Sequence, residues 1–112
     1  MKRVFVDSGG FFALLVSEDQ FHAQARLLFQ HANTEHWRLV TTNAVIIETH
    51  ALLLSRSRDG HANAIKFLDM IANDAYHVER IRKADEEKAI ALVRAHHDKD
   101  YSLCDALSFT VM

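Results

Sequence analysis

The sequence predicts an α/β fold built on a parallel sheet. Apolar segments of strand length alternate with segments of helical periodicity, which is the pattern of parallel strands joined by helices. The first apolar segment, Val4-Phe5-Val6, has no polar face, as expected of a strand that helices cover on both sides. With 112 residues, no repeat and no Gly/Ser linker, the chain is predicted to form a single domain over residues 1–112.

The amino-terminal third is predicted to contain one strand and two helices. The strand covers residues 3–7 and ends at an acid, after which two glycines lead into a short helix over residues 10–17. A longer helix is predicted over residues 20–32, with an apolar stripe formed by Phe21, Ala25, Leu28 and Ala32.

The rest of the chain is predicted to alternate in the same way. A second strand over residues 39–41 leads into a helix over residues 44–57, for which Thr42 or Asn43 would be the cap. A helix follows Gly60, with a predicted stripe at Ile65, Leu68 and Ala72. The segment YHVERIR predicts a third strand, residues 85–96 a helix, and the final segment YSLCDALSFTVM a last helix.

Composition narrows the functional class. The chain carries 13 basic and 15 acidic residues, for a net charge of −2, so no overall basic field indicates a general nucleic-acid binder. The single cysteine, Cys104, cannot form an internal disulfide and is typical of a reducing compartment. No stretch has the roughly 18 apolar residues that a membrane helix needs, and we therefore expect a cytoplasmic protein.

Asp7 is the first candidate for a functional residue. It follows a predicted strand directly, and open parallel sheets bind ligands in the crevice beyond the carboxyl ends of their strands. An acid at that position suits a cation or a polar substrate. A purely structural role is equally open, because an aspartate before a helix often caps it through its side chain.

Glu48 and Asp105 are the other two candidates. Glu48 lies within an apolar stripe of its predicted helix, where a carboxylate is costly to bury unless something satisfies it. The alternative is that its head reaches water at the edge of the stripe. Asp105 follows Ser102 by three residues, a capping-box spacing that alone would explain both residues.

Together these three acids predict a metal site. If they converge, each pair of charges about 4 Å apart repels by roughly 4 kcal/mol at an effective dielectric near 20. Such a cluster persists by raising a pKa or by binding a cation. Oxygen-only ligands favour a hard ion such as Mg²⁺ or Mn²⁺, which is the usual equipment for phosphodiester hydrolysis.

Three segments carry a resemblance to a known family. The segments VFVDSGGFFALLVSEDQFHAQA, TTNAVIIETHALL and HHDKDYSLCDALSF resemble, in order and spacing, the three leading blocks of PIN-domain proteins, and especially VapC-type toxin ribonucleases. The resemblance implies a PIN-like (Rossmann-like) three-layer fold and a metal-dependent endoribonuclease with an RNA substrate and an antitoxin partner. It places Asp7, Glu48 and Asp105 in the acidic site, where they would be catalytic and hold Mg²⁺ or Mn²⁺, and Ser8 and Asn43 in supporting positions.

One departure from the family qualifies this expectation. PIN-domain proteins usually continue beyond the DALSF helix with a strand, a fourth acid and a final strand, and this sequence is expected to lack those C-terminal strands. An alternative function is therefore an inactive PIN-like protein that acts as a binding module. Without a following strand, Val4-Phe5-Val6 would form an exposed edge, which predicts self-association, such as a homodimer.

Other motifs are absent or weak. The eight histidines include no H-E-x-x-H pair, and the glycines form no phosphate-binding loop. Two local basic groups, Arg56-Ser57-Arg58 and Arg80 with Arg82 and Lys83, could meet RNA phosphates or could simply be solvated ends of helices and strands.

Overall fold

The computed structural model describes residues 2–96 and 102–111 and confirms the predicted α/β fold. Within these residues, no helix is long and apolar enough to cross a membrane. The elements, in chain order, are β1 (Arg3–Phe5), α1 (Ser8–Leu15), α2 (His22–Thr34), β2 (Arg38–Thr42), α3 (Asn43–Arg56), α4 (Gly60–Ile71), β3 (Tyr76–Glu79), α5 (Lys83–Ala95) and α6 (Leu103–Val111).

The sheet is parallel, as predicted. Its order is β1-β2-β3 within the described chain, with Arg3 opposite Arg38 and Leu39 opposite Tyr76. Because all strands run in the same direction, their carboxyl ends meet at one edge of the sheet. The residues that follow β1, β2 and β3 therefore emerge on the same side of the molecule.

The first strand is less covered than its sequence suggests. Only Val6 is buried, whereas Val4 and Phe5 are half-buried, so the expectation of a strand covered on both sides is wrong for these two residues. The reason is the position of β1, which lies at an edge of the described sheet and pairs only with β2.

Two apolar clusters hold the helices in place. The larger one joins α1, α3 and α4 to the sheet and centres on Phe11 and Phe67, whose rings meet edge to face with centroids 5.1 Å apart. The smaller one joins α5 to α6 through Ala89, Ala106 and Leu107. Helix α6 is thus positioned mainly by its packing against α5, with further contact to α3.

Side-chain caps determine the residues at which the helices at the carboxyl edge of the sheet begin. Helix α1 begins at Ser8, two residues earlier than predicted, because Asp7 Oδ1 accepts a hydrogen bond from the Gly10 N–H at 2.9 Å. Thr42 is the cap of α3, and its Oγ1 accepts from the Val45 N–H at 3.1 Å. Asn43, the other predicted cap, is instead the first residue of the helix.

The predicted stripe of α2 is wrong at two of its four residues, Phe21 and Leu28. Ala32 is buried, but Phe21 and Leu28 are exposed. The inward face is rotated by about one residue, so that the polar His22 takes an inward position and its Nδ1 lies 2.8 Å from the Ala13 carbonyl oxygen. A search for apolar periodicity cannot detect a histidine that faces inward because it is hydrogen-bonded.

The predicted stripe of α4 is wrong by the same rotation. Ala64 and Phe67 are fully buried, whereas Ile65 and Leu68 are exposed. Gly60 explains the difference, because a Cβ at this residue would lie 2.6 Å from the Leu54 carbonyl oxygen. The backbones of α3 and α4 meet at this glycine, and the residues one and two turns further along the same face become the buried ones.

Two buried threonines allow a matched stability test. Thr41 and Thr49 are both fully buried, but Thr41 Oγ1 donates to the Val6 carbonyl at 2.9 Å while Thr49 Oγ1 has no partner within the described chain. We predict that Thr49→Val raises the free energy of unfolding by about 1 kcal/mol and that Thr41→Val lowers it by about 1–2 kcal/mol. Urea denaturation measures both, and equal effects of the two changes would contradict this description of the core.

Candidate active site

The three predicted acids come from three different elements. Asp7 lies between β1 and α1, Glu48 lies in the second turn of α3, and Asp105 lies in the first turn of α6. Helix α3 starts where β2 ends, so Asp7 and the beginning of α3 share the carboxyl edge of the sheet. Contacts of α3 with α1 and α6 bring the three elements to one another.

Asp7 is exposed and caps a helix. Its Oδ1 accepts from the Gly10 N–H at the start of α1, and a Cβ at Gly10 would lie 3.2 Å from the Val6 side chain. The hydrogen bond from Gly10 holds one oxygen of the Asp7 carboxylate at the start of α1. Its Oδ2 has no hydrogen-bond partner among the described residues, so the cap leaves one carboxylate oxygen available for a ligand.

Glu48 is half-buried and is held by hydrogen bonds. The Ser8 hydroxyl, on the first residue of α1, donates to Glu48 Oε1. The Cys104 thiol on α6 also hydrogen-bonds the Glu48 carboxylate. These two donors explain how a glutamate can lie within an apolar helix face, because a carboxylate removed from water needs such partners.

The pKa of Cys104 indicates that all three acids lie near its thiol. Its pKa is raised to about 12, first by burial, then by its hydrogen bond to Glu48, and then by the negative charges of Glu48, Asp105 and Asp7. The thiol is therefore protonated at neutral pH and acts as a donor. Sequence reasoning did not select Cys104 for the site, although its position beside Asp105 was the available signal.

Asp105 is exposed and forms the predicted capping box with Ser102. Its N–H donates to Ser102 Oγ at 3.0 Å, and the Ser102 N–H donates to Asp105 Oδ2 at 3.3 Å. Its Oδ1 has no hydrogen-bond partner within residues 2–96 and 102–111. As with Asp7, a structural role in a helix start leaves one oxygen directed elsewhere.

Asn43 is hydrogen-bonded to the backbone and not to one of the three acids. Its Oδ1 accepts a hydrogen bond from the Ile81 N–H at 2.8 Å, which ties the start of α3 to the segment after β3. Of the two residues predicted to support the site, Ser8 contacts an acid directly, whereas Asn43 fixes the backbone beside it.

The donor set suits a hard divalent ion. The charges of all three carboxylates raise the pKa of the Cys104 thiol, and none of the three forms an ion pair with a basic side chain in the described part of the chain. No group of three His, Cys, Asp or Glu residues described there is close enough to hold an ion as it stands. An ion would have to draw the Asp7 and Asp105 side chains, both of which are exposed, closer to Glu48.

An apolar groove leads to the acids. It has a volume of about 420 Å³ and runs along β1 between α2 and α6; Asp7 and Asp105 line it, and Leu28, Trp37 and Phe109 are among its apolar walls. The side of β1 that does not pair with β2 borders this groove. The acidic cluster is therefore open on the side of the sheet edge.

Comparisons with known proteins agree with the resemblance of the three segments. A model of the PIN domain matches residues 4–112. The 23S rRNA-specific endonuclease VapC20 of Mycobacterium tuberculosis is 31% identical over 109 residues, covering 97% of this chain and 79% of the relative, in strains CDC 1551 / Oshkosh and ATCC 25618 / H37Rv alike.

The three-dimensional comparison points to the same family. A crystal structure of Mycobacterium tuberculosis VapC20, described as a sarcin–ricin loop cleaving toxin, superposes with a TM-score of 0.86 at 30% identity. The similarity covers 96% of this chain and 79% of that one. The predicted PIN-like fold is confirmed, and the chain belongs to the PIN-domain family, as a ribonuclease of the VapC toxin type.

Proposed function

We propose that Asp7, Glu48 and Asp105 together hold one divalent ion, Mg²⁺ or Mn²⁺, and that the protein uses it to hydrolyse RNA phosphodiester bonds. The observation that carries this proposal is geometric: the Ser8 hydroxyl, next to Asp7, donates to Glu48, and Asp7 and Asp105 line the same groove. PIN-domain nucleases of the VapC type generally depend on divalent metal, and the oxygen-only donor set fits that requirement.

The residues of the proposed site have different roles. Ser8 and Cys104 donate hydrogen bonds to Glu48 and so fix its carboxylate before any ligand arrives. Asp7 and Asp105 each use one oxygen in a helix cap and present the other. When bound, the ion would supply an activated water and neutralise charge that develops on the phosphate.

The substrate class follows from the relatives. The relative from Mycobacterium tuberculosis is named a 23S rRNA-specific endonuclease, and its crystal structure is described as that of a sarcin–ricin loop cleaving toxin. We propose a hairpin of large-subunit ribosomal RNA as the substrate here. An antitoxin protein is the proposed partner, and residues 1–112 are proposed to form one PIN-like domain.

Removal of one carboxylate tests the catalytic proposal. We predict that Glu48→Gln lowers cleavage of a sarcin–ricin hairpin RNA by at least about 100-fold, because loss of groups that merely support metal ligands already costs 10–100-fold. Chelation of divalent ions by EDTA should abolish cleavage by the unchanged protein. The assay is quantitative gel electrophoresis of end-labelled RNA.

The control for this experiment is Glu35→Gln, at an exposed glutamate beyond the end of α2. It should cleave like the unchanged protein. In Glu48→Gln, the amide oxygen of the new side chain can still accept from Ser8, so the free energy of unfolding should change by no more than about 1 kcal/mol. Equal cleavage by the two variants, or cleavage that survives EDTA, would refute the proposed site.

We also propose that the protein self-associates through the β1 edge, most simply as a homodimer. Within the described residues β1 pairs on one side only, and the groove beside it has apolar walls that include Leu28 and Phe109, which are 54% and 50% exposed. An open strand edge next to apolar surface favours pairing with another chain.

Light scattering coupled to size-exclusion chromatography measures the mass of the protein in solution and so tests self-association. We predict a mass above that of the monomer at micromolar concentration, and a shift towards the monomer in Leu28→Glu. Ile65→Glu is the matched control, because Ile65 is 44% exposed on α4 and lies outside the groove. A monomer in all three proteins would rule out this contact.

A further inference from the structure

The fold separates the two basic groups of the sequence. Arg80 and Arg82 follow β3 and therefore lie at the carboxyl edge of the sheet, where Asp7 also lies. Arg56 ends α3, and Arg58 follows it. The 14-residue helix α3 starts at that edge with Asn43, which places Arg56 about 20 Å away from the edge along the helix axis.

Arg58 already has an acidic neighbour at the far end of the molecule. The pKa of Glu18 is lowered by a hydrogen bond from its own backbone and by one from the Ser17 hydroxyl, and further by the backbone and charge of Arg58. Glu18 lies in the connection after α1, whose other end begins beside Asp7. Arg58 thus belongs to the side of the fold away from the acids.

The segment Arg80-Ile81-Arg82 is anchored close to the site. The Ile81 N–H donates to Asn43 Oδ1 at 2.8 Å, and the Ile81 side chain packs on the cluster of Ala106 and its neighbours, which holds α5 to α6. Asn43 starts the helix that carries Glu48, and Ala106 follows Asp105. Ile81 is therefore bonded to the helix that carries Glu48 and packs on the cluster to which α6 contributes.

The arginines on either side of Ile81 face solvent. Both are exposed, and Arg82 has extended backbone angles, so side chains alternate between the inward Ile81 and the outward arginines. Neither guanidinium has an acidic partner among the described residues, whereas Lys83 lies 3.9 Å from Glu87. The nearby Asp85 accepts from the backbone N–H of Arg82.

We propose that Arg80 and Arg82 bind phosphates of the RNA that flank the scissile bond, which rests on the proposed ribonuclease function. A site of three carboxylates repels the polyanionic substrate, and the chain has no overall positive charge to offset this. Two guanidinium groups on an anchored segment at the same edge supply local attraction, and the planar fork of arginine matches phosphate oxygens.

A measurement of RNA binding at equilibrium tests this role of the two arginines and does not require cleavage. The probe is a fluorescein-labelled sarcin–ricin hairpin RNA, and every protein carries Asp7→Asn so that the RNA stays intact. Fluorescence anisotropy over a range of NaCl concentrations compares Arg80→Gln/Arg82→Gln with the matched control Arg56→Gln/Arg58→Gln. Both double variants lose the same formal charge.

The expected result is a clear difference between the two pairs. Loss of two phosphate contacts should lower the slope of log K against log salt by about 1.5 and weaken binding roughly tenfold near 0.1 M salt. The control pair should stay within about twofold of the Asp7→Asn protein. Equal weakening of both pairs, or none in the Arg80/Arg82 pair, overturns the proposal.

Cleavage kinetics in the proteins with Asp7 intact separate this inference from the proposed function. Arg80→Gln/Arg82→Gln should raise KM roughly tenfold with kcat nearly unchanged, since the contacts lie away from the reacting phosphate. A fall in kcat alone would overturn the phosphate-binding role. If the unchanged protein cleaves no RNA, the proposed function fails, while the binding comparison still decides the role of the two arginines.

Discussion

The hydrogen bonds that the Glu48 carboxylate accepts hold the acidic site together. A glutamate on a half-buried helix face is tolerated only because Ser8 and Cys104 donate to it. These donors belong to α1 and α6, so satisfying one carboxylate also brings together the two elements that carry Asp7 and Asp105. The same contacts that make the helix face acceptable therefore assemble the acidic cluster.

The acidic cluster has a cost that the structure offsets in two ways. Asp7 and Asp105 remain exposed, so water screens their charges, and each uses one oxygen to cap a helix. Binding of the proposed cation would relieve the remaining repulsion. Parallel strand direction also brings Arg80 and Arg82, the proposed phosphate-binding residues, to the edge that carries Asp7.

Sequence reasoning predicted the α/β class and the parallel sheet and selected the three acids, because each rests on local signals. Two of these signals can be read directly from the sequence. One is a strand that ends in an acid, and the other is a glutamate within an apolar helix face. The inward faces of α2 and α4 were not predictable in this way. They depend on tertiary contacts, namely the bond of His22 to the Ala13 carbonyl and the close approach of Gly60 to Leu54.

The role of Cys104 was hidden for a similar reason. In the sequence it is a lone cysteine beside Asp105, and only the packing of α6 against α3 shows that it donates to Glu48. In the sequence, Arg80 and Arg82 are also no different from Arg56 and Arg58, and only the strand direction places one pair at the sheet edge that carries Asp7 and the other at the far end. Local patterns identify the residue types, and the topology decides which of them act together.

Carboxylates from three separate elements sharing one divalent ion should be visible in an anomalous difference map from a crystal of the protein grown with Mn²⁺. We expect a single strong peak within about 2.0–2.5 Å of carboxylate oxygens of Asp7, Glu48 and Asp105. A well-occupied Mn²⁺ peak elsewhere, or no peak at these residues at millimolar Mn²⁺, would contradict a shared ion at this site.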